Sequence, residues 1–314
     1  MAEKKLSNTV KIVGYLKENN LAKITNSKGV NVINGSLTIA VDDINTHKVQ
    51  FYVAETTKNG ETSKDYEALS ELLPDCTITV ASFLKENPTA DFKTAANAAS
   101  KVWVMARLEE FASRIGERER SLVQIKGFRA GFKTATDKGP FVPCAEFTVD
   151  VYINDITAED GNTGRLVLEG LIPMYDKSVQ KISFVAPTND GIADYIGKNY
   201  RVGDTVTLKG DLISIQERIE VAGNSGFFGR GNGPQYETKF IRERRIYGGS
   251  EVPLHQGDEG AISTSTIKEG LAQREIKMDA NGAKAAARDA AKESTAPKAA
   301  PKATASNFSE DVDF

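Results

Sequence analysis

A glycine-rich stretch between two strand-like runs holds two phenylalanines and an arginine. These residues, Phe227, Phe228 and Arg230 in GNSGFFGRGNG, suit a flat, negatively charged polymer. Phenyl rings stack on planar bases, and a guanidinium group pairs with phosphate or packs over a ring. The alternative is a hairpin tip whose rings fold back onto the protein. The stretch therefore predicts either a nucleic-acid contact or ordinary packing of a hairpin tip.

The runs on either side of this insert alternate between apolar and polar residues. Val206, Leu208 and Leu212 keep a period close to two before it, and residues 236–243 alternate after it. Such alternation is typical of strands with one buried face. We expect residues 200–247 to form a long β-hairpin that carries the insert at its tip.

Other cations and aromatic residues stand where strands and connecting loops can expose them. Val10, Ile12, Val123 and Ile125 should face inward, which turns the intervening lysines outward. Besides the three tip residues, the candidate nucleic-acid-binding set is Lys11, Tyr15, Lys28, Lys126, Phe128, Lys133, Lys138, Lys239, Arg242 and Arg244. Each lysine could equally be a solvated surface charge, and core packing stays open for the two aromatic residues of this set. For Phe51, Phe184 and Trp103 we expect burial in the core.

The residues needed for catalysis or metal binding are scarce. The only histidines are His47 and His255, and the only cysteines are Cys76 and Cys144. No Cys-x-x-Cys pair or phosphate-binding Gly-x-x-x-x-Gly-Lys-Ser/Thr motif occurs. We expect neither an enzyme nor a bound metal or other cofactor. The cysteines should be small buried residues in a reducing compartment, although one disulfide between domains stays open.

The charge distribution does not favour a nucleic-acid partner by itself. The 43 acidic and 40 basic residues give a net charge of −3. Residues 251–314 hold 11 acidic and 8 basic residues, which leaves 32 of each sign in residues 1–250. Because the body is neutral, nucleic-acid binding would have to use local basic patches and stacking.

The chain also contains an internal repeat. Val10-x-Ile12-x-Gly14-Tyr15 returns at residues 123–128, and LTIAV at 37–41 matches FTVDV at 147–151. Lys48-Val49-x-Phe51 matches residues 181–184, and residues 77–80 match residues 205–208. Both copies place a short helical segment, KDYEALSELLP or GIADYIGKNY, before the last of these matches. Residues 91–100 read as helix or loop, followed by a strand that carries Trp103.

Three strands, a helix and two strands, occurring twice, predict a mostly β protein of two tandem five-stranded OB-fold barrels with Greek-key topology, each with a short helix. The second copy resembles the bacterial single-stranded-DNA-binding proteins. The resemblance is carried by Gly203-Asp204-x-Val206, Lys209-Gly210-x-Leu212 and Tyr236-Glu237-Thr238-x-Phe240-Ile241. It covers residues 120–247 well and residues 9–114 less clearly.

The predicted organisation has four parts. Residues 1–115 form the first OB-fold domain, 116–249 the second, 250–306 a flexible linker and 307–314 an acidic tip that ends in phenylalanine. At most a short helix is expected in TSTIKEGLAQREIKM, because the following tract is too polar to form a core. The tip resembles the tail of the same family, which implies that it docks replication or repair proteins. The partner-binding residues would be Phe308, Glu310, Asp311, Asp313 and Phe314.

The resemblance implies a protein that coats single-stranded DNA without sequence preference in replication, recombination or repair and recruits partners through its tip. A structural or assembly protein that uses its barrels as protein-interaction modules, with a solubilising tail, is the alternative, and RNA binding is a third. Without a long apolar run or a secretion signal, we expect no membrane contact and a cytoplasmic location. The two-barrel arrangement suggests a bacteriophage source, and hence the host cytoplasm. The resemblance also allows a homo-oligomer.

Overall fold

Alternating strand patterns dominate the fold. The computed structural model describes residues 6–57, 59–134, 139–221 and 235–295, with side chains except at 217–221, 235–237 and 288–295. Within these ranges the strands are β1 (Asn8–Asn19), β2 (Ala22–Thr25), β3 (Asn31–Ala40), β4 (Thr46–Ala54), β5 (Lys101–Ile115), β6 (Arg118–Phe132), β7 (Cys144–Ala158), β8 (Leu166–Pro173), β9 (Val179–Ala186), β10 (Thr205–Val221) and β11 (Gln235–Gly249). The helices are α1 (Lys64–Ser70), α2 (Val80–Glu86), α3 (Phe92–Ala98), α4 (Ile192–Asn199) and α5 (Thr264–Thr295).

Five strands of the first half, residues 8–132, pair in a closed cycle. β1 pairs antiparallel with β3 and β5, β3 with β4, and β5 with β6. A parallel pairing of β4 with β6 at Val49–Phe51 closes the cycle. β2 is added at the free edge of β3, and α1, α2 and α3 lie between β4 and β5 in the chain.

The second half, residues 144–249, repeats this cycle strand for strand. β7 pairs with β8 and β10, β8 with β9, and β10 with β11. Arg245 of β11 pairs in parallel with Val185 of β9. β7 therefore corresponds to β1, β8 to β3, β9 to β4, β10 to β5 and β11 to β6.

The two cycles are joined. Asn8–Val13 of β1 pair antiparallel with Cys144–Val149 of β7, which produces a single eleven-stranded mixed sheet. The expectation of a mostly β protein is confirmed, but two separate barrels are not seen. β6 forms one hairpin with β5, so the expected boundary after residue 115 falls within that hairpin.

The structure confirms a repeat but changes its alignment. In the pairing registers, Val10 corresponds to Phe147, Val49 to Phe184 and Ala106 to Gly210. The expected match of β1 with residues 123–128 is wrong, because those residues lie in the last strand of the first cycle. Residues 77–80 do not match β10 either, since they lead into α2, which Thr79 caps at its N-terminus. The match of residues 37–41 with 147–151 is also wrong, because β3 corresponds to β8, and the match of residues 48–51 with 181–184 is displaced by two residues. Short apolar alternations cannot tell one strand or register from another, which explains these errors.

A shared apolar core fills both cycles. Phe51, Phe147 and Phe184 are fully buried, as are Val10 and Ile12. The expected core positions of Phe51 and Phe184 are confirmed. Trp103 is only half-buried, and Cys76 is exposed rather than buried because it lies in a short 3-10 turn instead of a strand. Both cysteines are free thiols.

Within the range expected to be a flexible linker, residues 264–295 form a helix. α5 spans 32 residues from Thr264, and Ser263 accepts a hydrogen bond from the Thr266 N–H at its N-terminus. Ile267 and Met278 are buried on one face of this helix. The expectation of at most a short helix underestimated the length of α5. The helix is longer because alanine-rich sequence favours helix and because its buried stripe packs against both halves. None of the described helices is long and apolar enough to cross a membrane.

Candidate functional site

Strand β4 presents three polar or aromatic side chains on its outer face. Lys48, Gln50 and Tyr52 point outward, whereas the intervening residues His47, Val49 and Phe51 are buried, because successive side chains alternate between the faces of a strand. Tyr52 is 53% exposed. Its hydroxyl accepts a hydrogen bond from Asn26 at 3.2 Å. From Lys48 to Tyr52 this face extends about 13 Å.

Phe128 lies beside Tyr52 and is turned outward by a β-bulge. Gly127 pairs with Ala106 and Arg129 with Met105, so Phe128 is an extra residue without a partner on β5. Bulges of this kind redirect a side chain, and Phe128 is 42% exposed. Tyr52 and Phe128 line one shallow depression on the surface.

Two cations surround this aromatic pair. Lys126 and Arg107 line the same depression, and both contact the carboxylate of Glu109. The distances are 3.3 Å from Lys126 Nζ and 3.2 Å from Arg107 Nη2. Asp65 also lines the depression and pairs with Arg129 at 2.7 Å. The three cations Lys126, Arg107 and Arg129 therefore face two carboxylates, Glu109 and Asp65, and the surface around Phe128 keeps a positive charge.

A cleft of about 430 Å³ adjoins this surface and separates the two halves. We define the first arm as the outer β5–β6 hairpin, residues 107–126, and the second arm as the outer β10–β11 hairpin, residues 211–221 and 235–245. Lys48 and Gln50 of β4 line the cleft, together with Leu122 of the first arm and Phe240 of the second. The outer face of β4 thus leads from the cleft to the aromatic depression.

A backbone contact at the lining of the cleft joins the halves. The backbone N–H of Ser214 in the second arm donates to Asn45 Oδ1 at 2.9 Å, and Asn45 forms an isolated bridge with Ile215. The base of the second arm is therefore attached to the loop between β3 and β4. This contact fixes Ser214 and Ile215, which line the cleft, relative to the loop that leads into β4.

Basic side chains outnumber acidic ones in the cleft. The cations are Lys17, Lys48, Arg242 and Arg244, and the acids are Glu18 and Glu243. Glu243 is already paired with Arg165 at 2.9 Å and Arg245 at 3.0 Å. Burial would raise the pKa of Glu243, but the hydrogen bonds from these arginines outweigh it and keep the pKa below its usual range. The cleft therefore has a positive potential.

Phe240 is the largest exposed ring of the cleft. It is 59% exposed, and the Arg242 guanidinium carbon lies 5.9 Å from its ring centroid. Arg244 is more deeply placed, and its Nε donates to the Ser183 carbonyl at 2.6 Å. Burial lowers the pKa of Arg244, although an arginine stays charged at neutral pH. A ring and a cation are thus held side by side.

His47 is a buried titratable group behind this face. It is 2% exposed, and its Nε2 has no hydrogen-bond partner among the residues that the structure describes. Burial lowers the pKa of His47 to about 4, against a smaller opposing effect of Asp42. His47 is therefore neutral at physiological pH and adds no charge to the cleft.

Five of the predicted contact residues contribute to this surface or to the arms beside it. Lys126 and Phe128 lie in the aromatic depression, and Arg242 and Arg244 line the cleft. Lys239 is exposed on the second arm, next to Phe240. The sequence leaves core packing open for Phe128, but the structure places its side chain on the surface.

Four other predicted residues lie apart from this surface. Lys11 is exposed at the junction of β1 and β7, opposite Glu146, and Lys28 is exposed in the turn before β3. Tyr15 packs edge to face on Phe141 at 5.0 Å. The backbone of Lys133 donates to Lys101 beyond the end of β6.

Several predictions fall on residues outside the described ranges. They concern the loop residue Lys138, the hairpin tip and the acidic tail. These residues are Lys138, Phe227, Phe228, Arg230, Phe308, Glu310, Asp311, Asp313 and Phe314. Their roles stay predictions.

The sequence reasoning missed Lys48, Tyr52, Arg107 and Phe240. The alternation in KVQFYV could have placed Lys48 and Tyr52 on the face opposite Val49 and Phe51, since Phe51 was expected in the core. No sequence signal places Arg107 beside Phe128, because that contact depends on the β5–β6 register. Within the described residues, no cluster of potential metal ligands occurs.

Comparison with known proteins gives one matching family and several solved structures of similar fold. No curated protein matches the chain in sequence. A deletion variant of the single-stranded DNA binding protein from Thermus aquaticus superposes with a TM-score of 0.45 and 14% identity, covering 82% of this chain and 98% of that one. The wild-type protein of Thermus aquaticus gives 0.42 and 12%, covering 81% and 96%. The YorF family model matches residues 6–284, and the chain therefore belongs to the YorF family.

Proposed function

We propose that this protein binds single-stranded DNA without sequence preference and has no enzymatic activity. The observation that carries the proposal is the continuous outer surface that links the Tyr52–Phe128 pair with the cleft that holds Phe240 and Arg242. Exposed rings stack on bases of any identity, and nearby cations pair with phosphates. In this proposal each strand cycle acts as an OB-fold barrel.

The path on the protein would follow the outer face of β4. Bases would stack on Tyr52 and Phe128, and the strand would continue past Gln50 and Lys48 into the cleft. Each stacked base contributes about 1–3 kcal/mol. The tip residues Phe227, Phe228 and Arg230 would extend the path at the end of the second arm. Two linked binding regions hold one strand more tightly than either region alone.

The proposal also includes partner recruitment by the acidic tip. Residues 307–314 would dock replication, recombination or repair proteins through the carboxylates and the two phenylalanines. Deletion of residues 307–314 should abolish retention of partner proteins on DNA-coated beads while DNA affinity is preserved or increased. Unchanged retention would rule out the docking role.

Fluorescence anisotropy with labelled oligo-dT tests the central proposal. We expect submicromolar binding that weakens with salt and that matched duplex competes poorly, with matched RNA as a second competitor. Phe240→Ala should weaken binding roughly 5- to 150-fold, the loss of one stacked base. Tyr175→Ala is the matched control, because Tyr175 is 92% exposed on the β8–β9 loop, outside the cleft lining. The absence of binding at low salt, or equal effects of both variants, would contradict the proposal.

A second candidate function is supported by an apolar patch on the first arm. Phe111, Ile115 and Leu122 are 51%, 41% and 49% exposed. Phe111 pairs directly with Leu122 across the hairpin, so their side chains share one face. Such a patch suits a protein partner in an assembly role. If oligo-dT does not bind, this patch becomes the first surface to examine for protein contacts.

A further inference from the structure

Helix α5 contacts both halves of the molecule. Near its N-terminus, Ile267 and Leu271 pack with Leu171 and Val179 of β8 and β9 in the second half. A Cβ at Gly270 would overlap a methyl group of Val179, so the helix lies very close to β9. The helix then continues along the first arm.

The C-terminal part of α5 is fixed to the first arm by close contacts. Asn281 Nδ2 donates to the Ala112 carbonyl at 2.9 Å. A Cβ at Gly282 would overlap the carbonyl oxygen of Arg114, so only glycine allows this approach. The Arg114 guanidinium in turn pairs with Glu275, and with Asp279 at 3.0 Å.

A buried ion pair lies at the centre of this contact. Arg274 Nε and Nη2 donate to the Glu110 carboxylate at 3.0 and 2.6 Å. The side chains are 7% and 2% exposed. Glu110 also accepts from the backbone N–H of Lys181 in β9 at 2.8 Å and from Ser121 Oγ at 2.6 Å. One carboxylate therefore joins α5, the first arm and β9.

Strand β6 of the arm borders the cleft. Its consecutive residues Leu122, Val123, Gln124 and Ile125 line the cleft, and Val123 is the cross-strand partner of Glu110. Helix α5 instead contacts the backbone of β5, at the carbonyls of Ala112 and Arg114. The helix thus supports one wall of the cleft through β5. A two-stranded ribbon is marginally stable in water without such support.

We propose that α5 is a strap that holds the first arm as a fixed wall of the cleft. Arg274 and Gly282 are then positioning residues for strand binding, although neither lines the cleft. The positioning role rests on the proposed binding of single-stranded DNA. A wall held in place before binding avoids the entropy loss of ordering it during binding, and therefore increases affinity.

The variant Gly282→Ala distinguishes an effect on the position of the first arm from a loss of helix stability. The new methyl group must push α5 away from Arg114, yet it leaves no buried charge unpaired. Alanine also increases intrinsic helix propensity, by about 1 kcal/mol. Loss of function in this variant therefore cannot come from a weaker helix. Ala280→Gly is the matched control, because Ala280 is exposed on α5 and glycine there weakens the helix without touching the arm.

Two measurements test the proposal: the distance between the arms and the affinity for oligo-dT. In a Cys76→Ser/Cys144→Ser background, spin labels at Arg118→Cys and Lys239→Cys report the distance between the arms. We expect one narrow distance distribution with Gly282 in place, a broad one in Gly282→Ala and a narrow one in Ala280→Gly. We also expect Gly282→Ala to weaken oligo-dT binding roughly 3- to 10-fold, the entropy of ordering a few side chains on binding.

The results distinguish this proposal from the function on which it rests. If the unsubstituted chain fails to bind oligo-dT, both proposals fail. If it binds, and Gly282→Ala leaves the distance distribution or the affinity unchanged, only the positioning role is overturned. Equal broadening by Ala280→Gly would also overturn it, because helix stability alone would then control the arm.

Discussion

The two halves fill the same layer of the core with large side chains from different strands. In the first half, Phe51 of β4 occupies the space over Gly127 of β6, where a Cβ would overlap its ring. In the second half, Phe147 of β7 fills the space over Gly210 of β10 in the same way. At the positions corresponding to Phe51 and Gly127, the second half has Ala186 and Ile246. The backbone register is preserved while the core volume is redistributed.

The surfaces of the halves differ more than their cores. Tyr247 occupies the same bulge in β11 that Phe128 occupies in β6, and it is 49% exposed. Arg107, however, corresponds to Asp211. Burial and the negative charges of Glu146 and Asp211 raise the pKa of Tyr247, so its surroundings are acidic. Duplication of the strand geometry thus does not imply duplication of the binding chemistry.

The largest expected effect is a change in unfolding free energy when the core pattern of the second half is copied into the first half. Phe51→Ala alone should cost about 3–5 kcal/mol of unfolding free energy, because it leaves a cavity. Gly127→Ile alone should be at least as damaging, because the side chain overlaps the Phe51 ring. Together they copy the Ala186–Ile246 pair of the second half, so we expect a favourable coupling of about 1–3 kcal/mol in urea denaturation.

Gly248→Ala is the control for the core exchange, since a Cβ there meets nothing within 4 Å. It should change stability by less than about 0.5 kcal/mol. Strictly additive effects of Phe51→Ala and Gly127→Ile would show that the two halves do not share one packing layer.

The acid sensitivity of the halves should differ because His47 corresponds to Ile182. The pKa of His47 is about 4 in the folded chain, below its ordinary value of 6.5. The unfolded chain therefore binds more protons between these values, and stability falls as the pH drops from 6.5 to about 4. This contribution amounts to about 3 kcal/mol.

His47→Ile copies the second half and removes the buried Nε2 atom, which has no partner among the described residues. We expect unfolding free energies, measured by urea titration at several pH values, to lose most of their slope between pH 6.5 and 4.5. Carboxylates such as Asp176, whose pKa is lowered to about 2 chiefly by Lys277, should still destabilise the protein below that window. An unchanged slope in His47→Ile would mean that His47 is not the responsible group.

The two bulge aromatics should differ in DNA binding. Phe128→Ala should weaken oligo-dT binding by about 1–3 kcal/mol, since Lys126 and Arg107 can hold the phosphates beside its stacked base. Tyr247→Ala should change binding by less than about 0.5 kcal/mol, because Glu146 and Asp211 repel phosphate. Anisotropy titrations of both variants at one salt concentration provide the measurement. Equal losses would indicate that both halves bind the strand alike.

The sequence predicted strands at β7, β9, β10 and β11, the helices α1 and α4, and the burial of Phe51 and Phe184, because these depend on local periodicity. It did not predict that β6 belongs to the first cycle, because strand order depends on pairing between distant segments. The bulge that exposes Phe128 and the contact of Gly282 with Arg114 are equally non-local. The length of α5 was underestimated because its buried stripe includes Gly270, Arg274 and Gly282. Local hydrophobicity does not mark these residues as a packing face.

The smallest expected change in oligo-dT affinity comes from reversing the charge beside Tyr247. Asp211→Arg gives Tyr247 the cation that Arg107 provides beside Phe128. Burial already raises the pKa of Asp211, so removing this carboxylate should not destabilise the fold. We expect oligo-dT affinity to increase about 2- to 5-fold at low salt, within the 0.2–1 kcal/mol range of an exposed charge contact. The gain should disappear at high salt and in the double variant Asp211→Arg/Tyr247→Ala, because the added cation is useful only beside a stacked base. A gain that persists without Tyr247 would instead reflect attraction to the phosphate backbone alone.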